Sequence, residues 1–201
     1  MNGQTIRDLC ELDFILSSQF QGVYSFDNLP MHVCKYPSAY IVNTASKRSS
    51  SGEHWLALYF SSRDHSCVFD SYGRNFSNLP TSLQGFISRN SLSCSFNTRI
   101  LQQFHSQACG LYSILFLLYM SRLYDLGDYL SIFTTDPREN DFLVYHCLYS
   151  IFNKWKTTTK CWTFFIYKTN TIKQSIQTSL FVLTYEEDNP LLYHPIRVPF
   201  C

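Results

Sequence analysis

Apolar and polar positions change rhythm several times along the chain, and each change marks an element. Over residues 6–20, Ile6, Leu9, Cys10, Phe14 and Leu16 fall at helical spacing, which predicts a helix with one apolar face. Gly22-Val23-Tyr24 leads into a loop through Asp27, Asn28 and Pro30. Residues Ala39 to Thr44 then read as a buried strand, closed by a polar, Ser-rich stretch over 46–52. Two β-rich runs follow, His54 to Phe60 and Ser66 to Tyr72, separated by Ser61-Ser62-Arg63-Asp64-His65, which is hairpin spacing. Asn78-Leu79-Pro80 opens a helix to about Ser88, and Thr98-Arg99-Ile100-Leu101 is expected as a fourth short strand. An apolar helix over 109–124 begins at Cys109, and another runs from Asp136 to Phe152 with Pro137 in its first turn. Lys156-Thr157-Thr158-Thr159-Lys160 reads as a linker. The expected organisation is therefore a domain over 1–155 and an extension of uncertain fold over 156–201.

Composition narrows the class. A chain of 201 residues with 45% apolar and 17% aromatic residues supports one sizeable core and excludes a disordered protein. The formal charge of +1 gives no global attraction to nucleic acid. Basic residues do gather locally: Lys154, Lys156, Lys160, Lys168 and Lys173, interleaved with Trp155, Trp162 and Phe165, offer a weak nucleic-acid contact. A solvated face is the commoner use of such a patch. The N-terminus carries no apolar signal core, and Leu111 to Met120 is about half a membrane span. A soluble monomer that is not secreted and makes no membrane contact is expected. The eight cysteines contain no C-x-x-C pair, so most are read as buried thiols. His65-x-Cys67 and His105 with Cys109 lack a second pair at zinc-finger spacing, and no metal site is expected.

Three residues carry the candidate chemistry. A thiol is a useful nucleophile only with a base in reach, a group to orient that base, and donors for the oxyanion. Cys109 opens a helix, whose N-terminus favours a thiolate, and Gly110 beside it leaves room for a substrate backbone. His54 begins a strand that holds its ring as base. Asp70 lies on the paired strand, where it can accept the distal imidazole N–H. Gln102 and Gln103 precede the cysteine, and either amide can serve the oxyanion. Singly, each has a commoner explanation: a packed thiol, a surface histidine, a strand-end aspartate, a surface glutamine. Together and in this order they point to a cysteine hydrolase.

The order His, acid, Gln, Cys-Gly resembles the clan of cysteine proteases that holds the adenovirus protease (adenain) family and the SUMO-specific proteases. Ile41-Val42-Asn43-Thr44-Ala45, Gly52-Glu53-His54-Trp55-Leu56-Ala57, Cys67-Val68-Phe69-Asp70-Ser71-Tyr72-Gly73 and Ala108-Cys109-Gly110-Leu111-Tyr112 carry the likeness. It is nearer the adenain type and its Polinton/Maverick and adintovirus forms, the latter through Asn140-Asp141-Phe142-Leu143-Val144. The resemblance covers about residues 6–153. It implies an α+β, papain-like fold with a mixed central sheet flanked by helices. It also implies a cysteine endopeptidase that cleaves capsid precursor proteins, in the host nucleus or the virion, at sites containing glycine. By position, Cys109 is the nucleophile, His54 the base and Asp70 its orienting acid, where the adenovirus enzyme commonly has Glu. Gln102 is the oxyanion donor by adenain spacing; SUMO-protease spacing selects Gln103. No cofactor is needed for the chemistry, but the family uses an activating peptide, disulfide-linked, and DNA. Cys94 stands in the comparable stretch as a weak match for that disulfide. Within the same clan an isopeptidase removing a ubiquitin-like modifier is the alternative enzyme, and a protease-like fold kept as a binding module is the non-enzymatic one.

Overall fold

A computed structural model describes residues 1–48 and 54–157, together with Thr163–Phe164 and Val182–Leu183. The chain divides into two units, Met1–Thr158 and Thr159–Cys201. In the second, Thr163–Phe164 pairs antiparallel with Val182–Leu183. The first unit is built on a five-stranded mixed sheet in sequence order. Its strands are β1 (Phe20–Ser25), β2 (Ser38–Asn43), β3 (Trp55–Phe60), β4 (His65–Phe69) and β5 (Ser93–Phe96). The two outer pairings, β1 with β2 and β4 with β5, are parallel, and β2–β3–β4 run antiparallel.

Burial explains the strand sequences. All six residues of β2 and five of six in β3 are inaccessible, so they are apolar on both faces instead of alternating. On one face Tyr40, Leu58, Phe60 and Val68 meet Leu83, Phe86 and Ile87 of α3 (Thr81–Asn90). On the other, Phe69 stacks on Phe116 at 5.1 Å and meets the edge of Tyr129 at 5.0 Å. Phe116 belongs to α4 (Cys109–Met120), whose residues from Gly110 to Met120 are all buried. A helix apolar all round must lie in the centre. It packs on β3 and is covered by α1 (Gly3–Leu12), α5 (Leu126–Leu130) and α6 (Pro137–Thr157).

Several expected elements are redrawn. The single helix over 6–20 is two, α1 and α2 (Phe14–Gln19), because Asp13 adopts extended backbone and caps the Leu16 N–H. Asp13 is also ion-paired to Arg122 at 2.5 Å, which fixes the break. Gly22-Val23-Tyr24 is part of β1, not the approach to a loop; its half-buried residues carry little alternation to reveal it. The strand expected at Thr98–Leu101 is a loop, and the fifth strand is the more polar Ser93–Phe96, held by its pairing with β4. The short helix α5 was not anticipated; its Asp125 and Asp128 form a capping box. Helix α6 extends through Thr157, into the stretch read as a linker.

Gly73 ties the end of β4 to that loop. It has φ of +62°, and a Cβ there would lie 2.7 Å from backbone atoms of Thr98 and Arg99. Gly73→Ala therefore combines left-handed strain with a backbone clash and is expected to destabilise the protein by about 2–4 kcal/mol. Urea unfolding checks this as a lowered midpoint at unchanged slope.

Candidate active site

The β3–β4 hairpin presents its base and acid just beyond the ends of the ladder. His54 immediately precedes β3, its carbonyl accepting the Thr44 N–H at 2.8 Å, and Asp70 immediately follows β4. Neither side chain belongs to the paired strands in which it was expected. His54 Nε2 lies 2.7 Å from Asp70 Oδ1, with both residues buried. The same Oδ1 accepts the Tyr72 N–H at 2.8 Å, and Oδ2 accepts Arg74 Nε at 2.8 Å. Asn97 clamps the Asp70 backbone from both sides: its Oδ1 accepts the Asp70 N–H at 2.8 Å and its Nδ2 donates to the Asp70 carbonyl at 2.7 Å. With one imidazole nitrogen engaged by Asp70, the other edge of the ring serves Cys109, to which His54 is hydrogen-bonded.

Cys109 is the first residue of α4 and only half-buried, whereas the helix behind it is closed to solvent. It receives the backbone N–H groups of Trp55 and Gly110 as well as the His54 hydrogen bond. Burial pulls its thiol upward, but the His54 hydrogen bond and charge outweigh that and hold it below the ordinary thiol value. For His54 burial opposes protonation, yet the Asp70 and Cys109 hydrogen bonds and charges raise it above the ordinary imidazole value. Burial likewise pulls Asp70 upward, and His54 with Arg74 more than reverses it. Thiol down, imidazole up and carboxylate down all favour a thiolate–imidazolium pair backed by a carboxylate.

Gln102 is buried, and its side chain is fully committed. Ser71 Oγ donates to its Oε1 at 2.7 Å, while Nε2 donates to the Ser106 carbonyl at 2.7 Å and faces Tyr72 Oη at 3.2 Å. Gln103 is exposed, and its backbone N–H is directed to Asp141 at 3.4 Å. A cleft of about 590 Å³ opens over these groups, lined among the described residues by Cys109, His54, Trp55, Tyr72, Asn43 and the N-terminal segment. Base and thiol thus share the cleft, the acid holds the base, and Gln102 is linked to them through Tyr72.

A family model for the adenovirus endoprotease matches residues 20–127, a span that contains His54, Asp70, Gln102 and Cys109. The chain belongs to the adenovirus endoprotease family. That membership makes its first unit a domain of cysteine-protease type, in keeping with the mixed sheet and the helix headed by cysteine. No curated protein matches the chain.

Several supporting residues went unread in the sequence. Tyr72 stacks on His54 with ring centroids 4.8 Å apart. Continuing the β3–β4 register past Ala57 and Phe69 sets Tyr72 opposite His54, so the hairpin held the signal. Arg74, four residues beyond Asp70, holds its outer oxygen. Asn140 Nδ2 and the Tyr112 hydroxyl reach the Leu101 carbonyl at 3.2 and 3.1 Å, and the Leu101 and Gln102 N–H groups both donate to the Ser71 carbonyl. These bonds hold the loop that carries Gln102. Gly110 has a different use from the one expected. It is buried, and a Cβ there would meet Ile6 Cδ1 at 3.2 Å and Trp55 Cδ1 at 3.4 Å, so its smallness lets α4 approach α1 and β3.

Cys94 is a half-buried free thiol on the edge strand β5. Among the described residues no group of three or more His, Cys, Asp or Glu side chains could hold a metal ion. No helix among them is long and apolar enough to cross a membrane. The lysine patch over 154–173 has its side chains outside the described residues, as does Gly52-Glu53.

Proposed function

We propose that this protein is a cysteine endopeptidase that cleaves capsid precursor proteins at glycine-containing sites. The observation that carries the reading is that Cys109 and His54 line one cleft while Asp70 is bonded to the imidazole at 2.7 Å, three residues from positions far apart in the chain. Cys109 Sγ attacks the scissile carbonyl carbon and the carbonyl π electrons move to oxygen. The Cys109 N–H and the Gln102 amide, the donor that family spacing selects, stabilise that oxyanion. As the intermediate collapses, the C–N bond breaks and His54 gives its proton to the leaving amine, while Asp70 keeps the ring oriented. Water, deprotonated by His54, then releases the acyl group and regenerates the thiol. The precursor substrate and action in the host nucleus or virion rest on family membership, and kinship to the Polinton and adintovirus forms rests on the likeness of the Asn140-Asp141-Phe142-Leu143-Val144 run. An activator peptide disulfide-bonded to Cys94 would lie along β5, where an edge strand offers unpaired backbone groups.

The test is hydrolysis of a glycine-containing peptide across pH. A bell-shaped kcat/KM profile is expected. The thiolate is lost as pH falls through the lowered Cys109 value, so the acid limb lies below the ordinary thiol value of 9.0. The imidazolium is lost as pH rises through the raised His54 value, so the alkaline limb lies above 6.5. A profile flat from acid to alkaline pH would remove the ion pair from the mechanism. Labelling by a ubiquitin-like vinyl sulfone without peptide cleavage would move the substrate class to modified lysines.

A further inference from the structure

Gly73 turns the chain so that Arg74 folds back on Asp70. The Gly73 N–H donates to the Asp70 carbonyl at 2.8 Å, and the positive φ at Gly73 closes the turn. Arg74 Nε then donates to Asp70 Oδ2 at 2.8 Å, on the oxygen that His54 does not use. Arg99 distributes its donors differently, among the carbonyls of Leu130, Phe133 and Thr134. Arg74 makes its one hydrogen bond among the described residues to Asp70, and its Nη2 is buried with no partner among them. An arginine kept for packing alone would find acceptors for a buried nitrogen, since leaving it without one is unfavourable. This guanidinium is instead held against a single oxygen of a single carboxylate.

Resting on the endopeptidase reading, we infer that Arg74 is a positioning residue for the reaction and acts through Asp70. It fixes which carboxylate oxygen faces the imidazole, and its charge weakens the hold of Asp70 on the His54 proton, setting the alkaline end of the working pH range. A carboxylate buried beside an imidazole with no second cation would bind that proton hardest. His54 has to give the proton to the leaving nitrogen as the C–N bond breaks, and a ring that holds it too tightly is a poorer acid. Arg74 itself gives up no proton. Its charge and its hydrogen bond both act to lower the Asp70 carboxyl. Few other titratable groups face the pair among the described residues. His54 meets Asp70 and Cys109 and stacks on Tyr72, and Lys47 lines the same cleft. Asp141 of α6 is bonded to the Tyr112 hydroxyl, and its charge is felt at Tyr72.

Arg74→Gln keeps a neutral N–H donor for Oδ2 and removes the charge, whereas Arg74→Lys keeps the charge on a different donor. On a glycine-containing peptide the alkaline limb of kcat/KM is expected to move up by about 0.5–1 pH unit in Arg74→Gln. In Arg74→Lys it should stay within about 0.2 unit of wild type. Arg74→Met has neither donor nor charge, and should add to the same upward movement a kcat lowered by about tenfold. The pH dependence of Cys109 alkylation by iodoacetamide reports the same imidazolium without turnover, and its upper inflection should move with the limb. A limb that stays in place in Arg74→Gln and Arg74→Met, or moves down, overturns the proposal whatever happens to kcat. So does a limb that moves equally in Arg74→Lys, because the cause would then be the shape of the guanidinium and not its charge. Unchanged kcat in Arg74→Met removes Arg74 from fixing the carboxylate. Failure of the endopeptidase reading looks different: wild type and Cys109→Ala would hydrolyse the peptide equally, while the alkylation profiles would still test Arg74.

Discussion

Cys109→Ala is expected to lower kcat for peptide hydrolysis by about 10⁵-fold or more, leaving only what the cleft achieves by binding and hydrogen bonding. On the proposed mechanism the mutation removes the atom that forms the acyl bond. His54 would remain paired with Asp70 and could still deprotonate water, but water has neither the thiolate's nucleophilicity nor its fixed position at the head of α4. The fold should survive, because Sγ is only half-buried and the residues that anchor the helix, from Gly110 inward, are untouched. A stability change of about 1 kcal/mol or less is expected. Steady-state hydrolysis together with a urea melt checks both parts. Wild-type rates in the variant would end the assignment of Cys109 as nucleophile, and a collapsed melt would make it structural.

The second large effect belongs to Asp70. Asp70→Ala removes in one step the acceptor for His54 Nε2, the cap on the Tyr72 N–H and the partner of Arg74. Loss of kcat/KM by about 10²–10³-fold is expected, because the imidazole loses both its orientation and the charge that stabilises its protonated form. Asp70→Asn is the sharper experiment. Its Oδ1 can still accept from His54 and Tyr72, but its Nδ2 then faces Arg74 Nε, donor against donor. The ring keeps its orientation and loses the carboxylate's charge. The alkaline limb of the pH profile should therefore move to lower pH, with an activity loss of about tenfold. A limb that stays in place in both variants would show that Asp70 has no electrostatic part in holding the proton on His54. Measuring kcat/KM at closely spaced pH values in both variants decides this.

How much of this was legible in the sequence depends on the range of the interaction concerned. The runs of β2, β3 and β4 were readable because strands buried on both faces must be apolar throughout, and the hairpin spacing joined two of them. The head of α4 was equally plain, since an apolar run beginning at Cys109 has little alternative but a central helix. What escaped was decided by contacts between distant segments. Ser93–Phe96 has no strong strand pattern and exists as a strand because β4 supplies its partner. Thr98–Leu101 has β-forming residues, yet Ser71, Tyr112 and Asn140 take its backbone groups and leave it a loop. Asp13 looked like one polar position on a long helix; its pairing with Arg122, 109 residues away, makes it a break. Order and context brought His54, Asp70 and Cys109 forward as candidates, whereas Asn97 and Arg74 gave no such sign, because ordinary polar residues acquire roles only from the backbone or carboxylate they face.

The uneven treatment of the thiols has a consequence for how the protein meets oxidants. Burial pushes Cys67 to about 12 and Cys147 to about 11, and Cys10 higher still, so these sulfurs stay protonated and inert. Cys109 alone among the shifted cysteines is driven the other way. Peroxide should therefore find it before those buried sulfurs and convert it to a sulfenic acid, which small thiols reduce back. On the proposed mechanism, the environment that readies this sulfur to attack carbonyl carbon also leaves it more oxidisable than those buried thiols, and ties its working state to the redox poise of its surroundings.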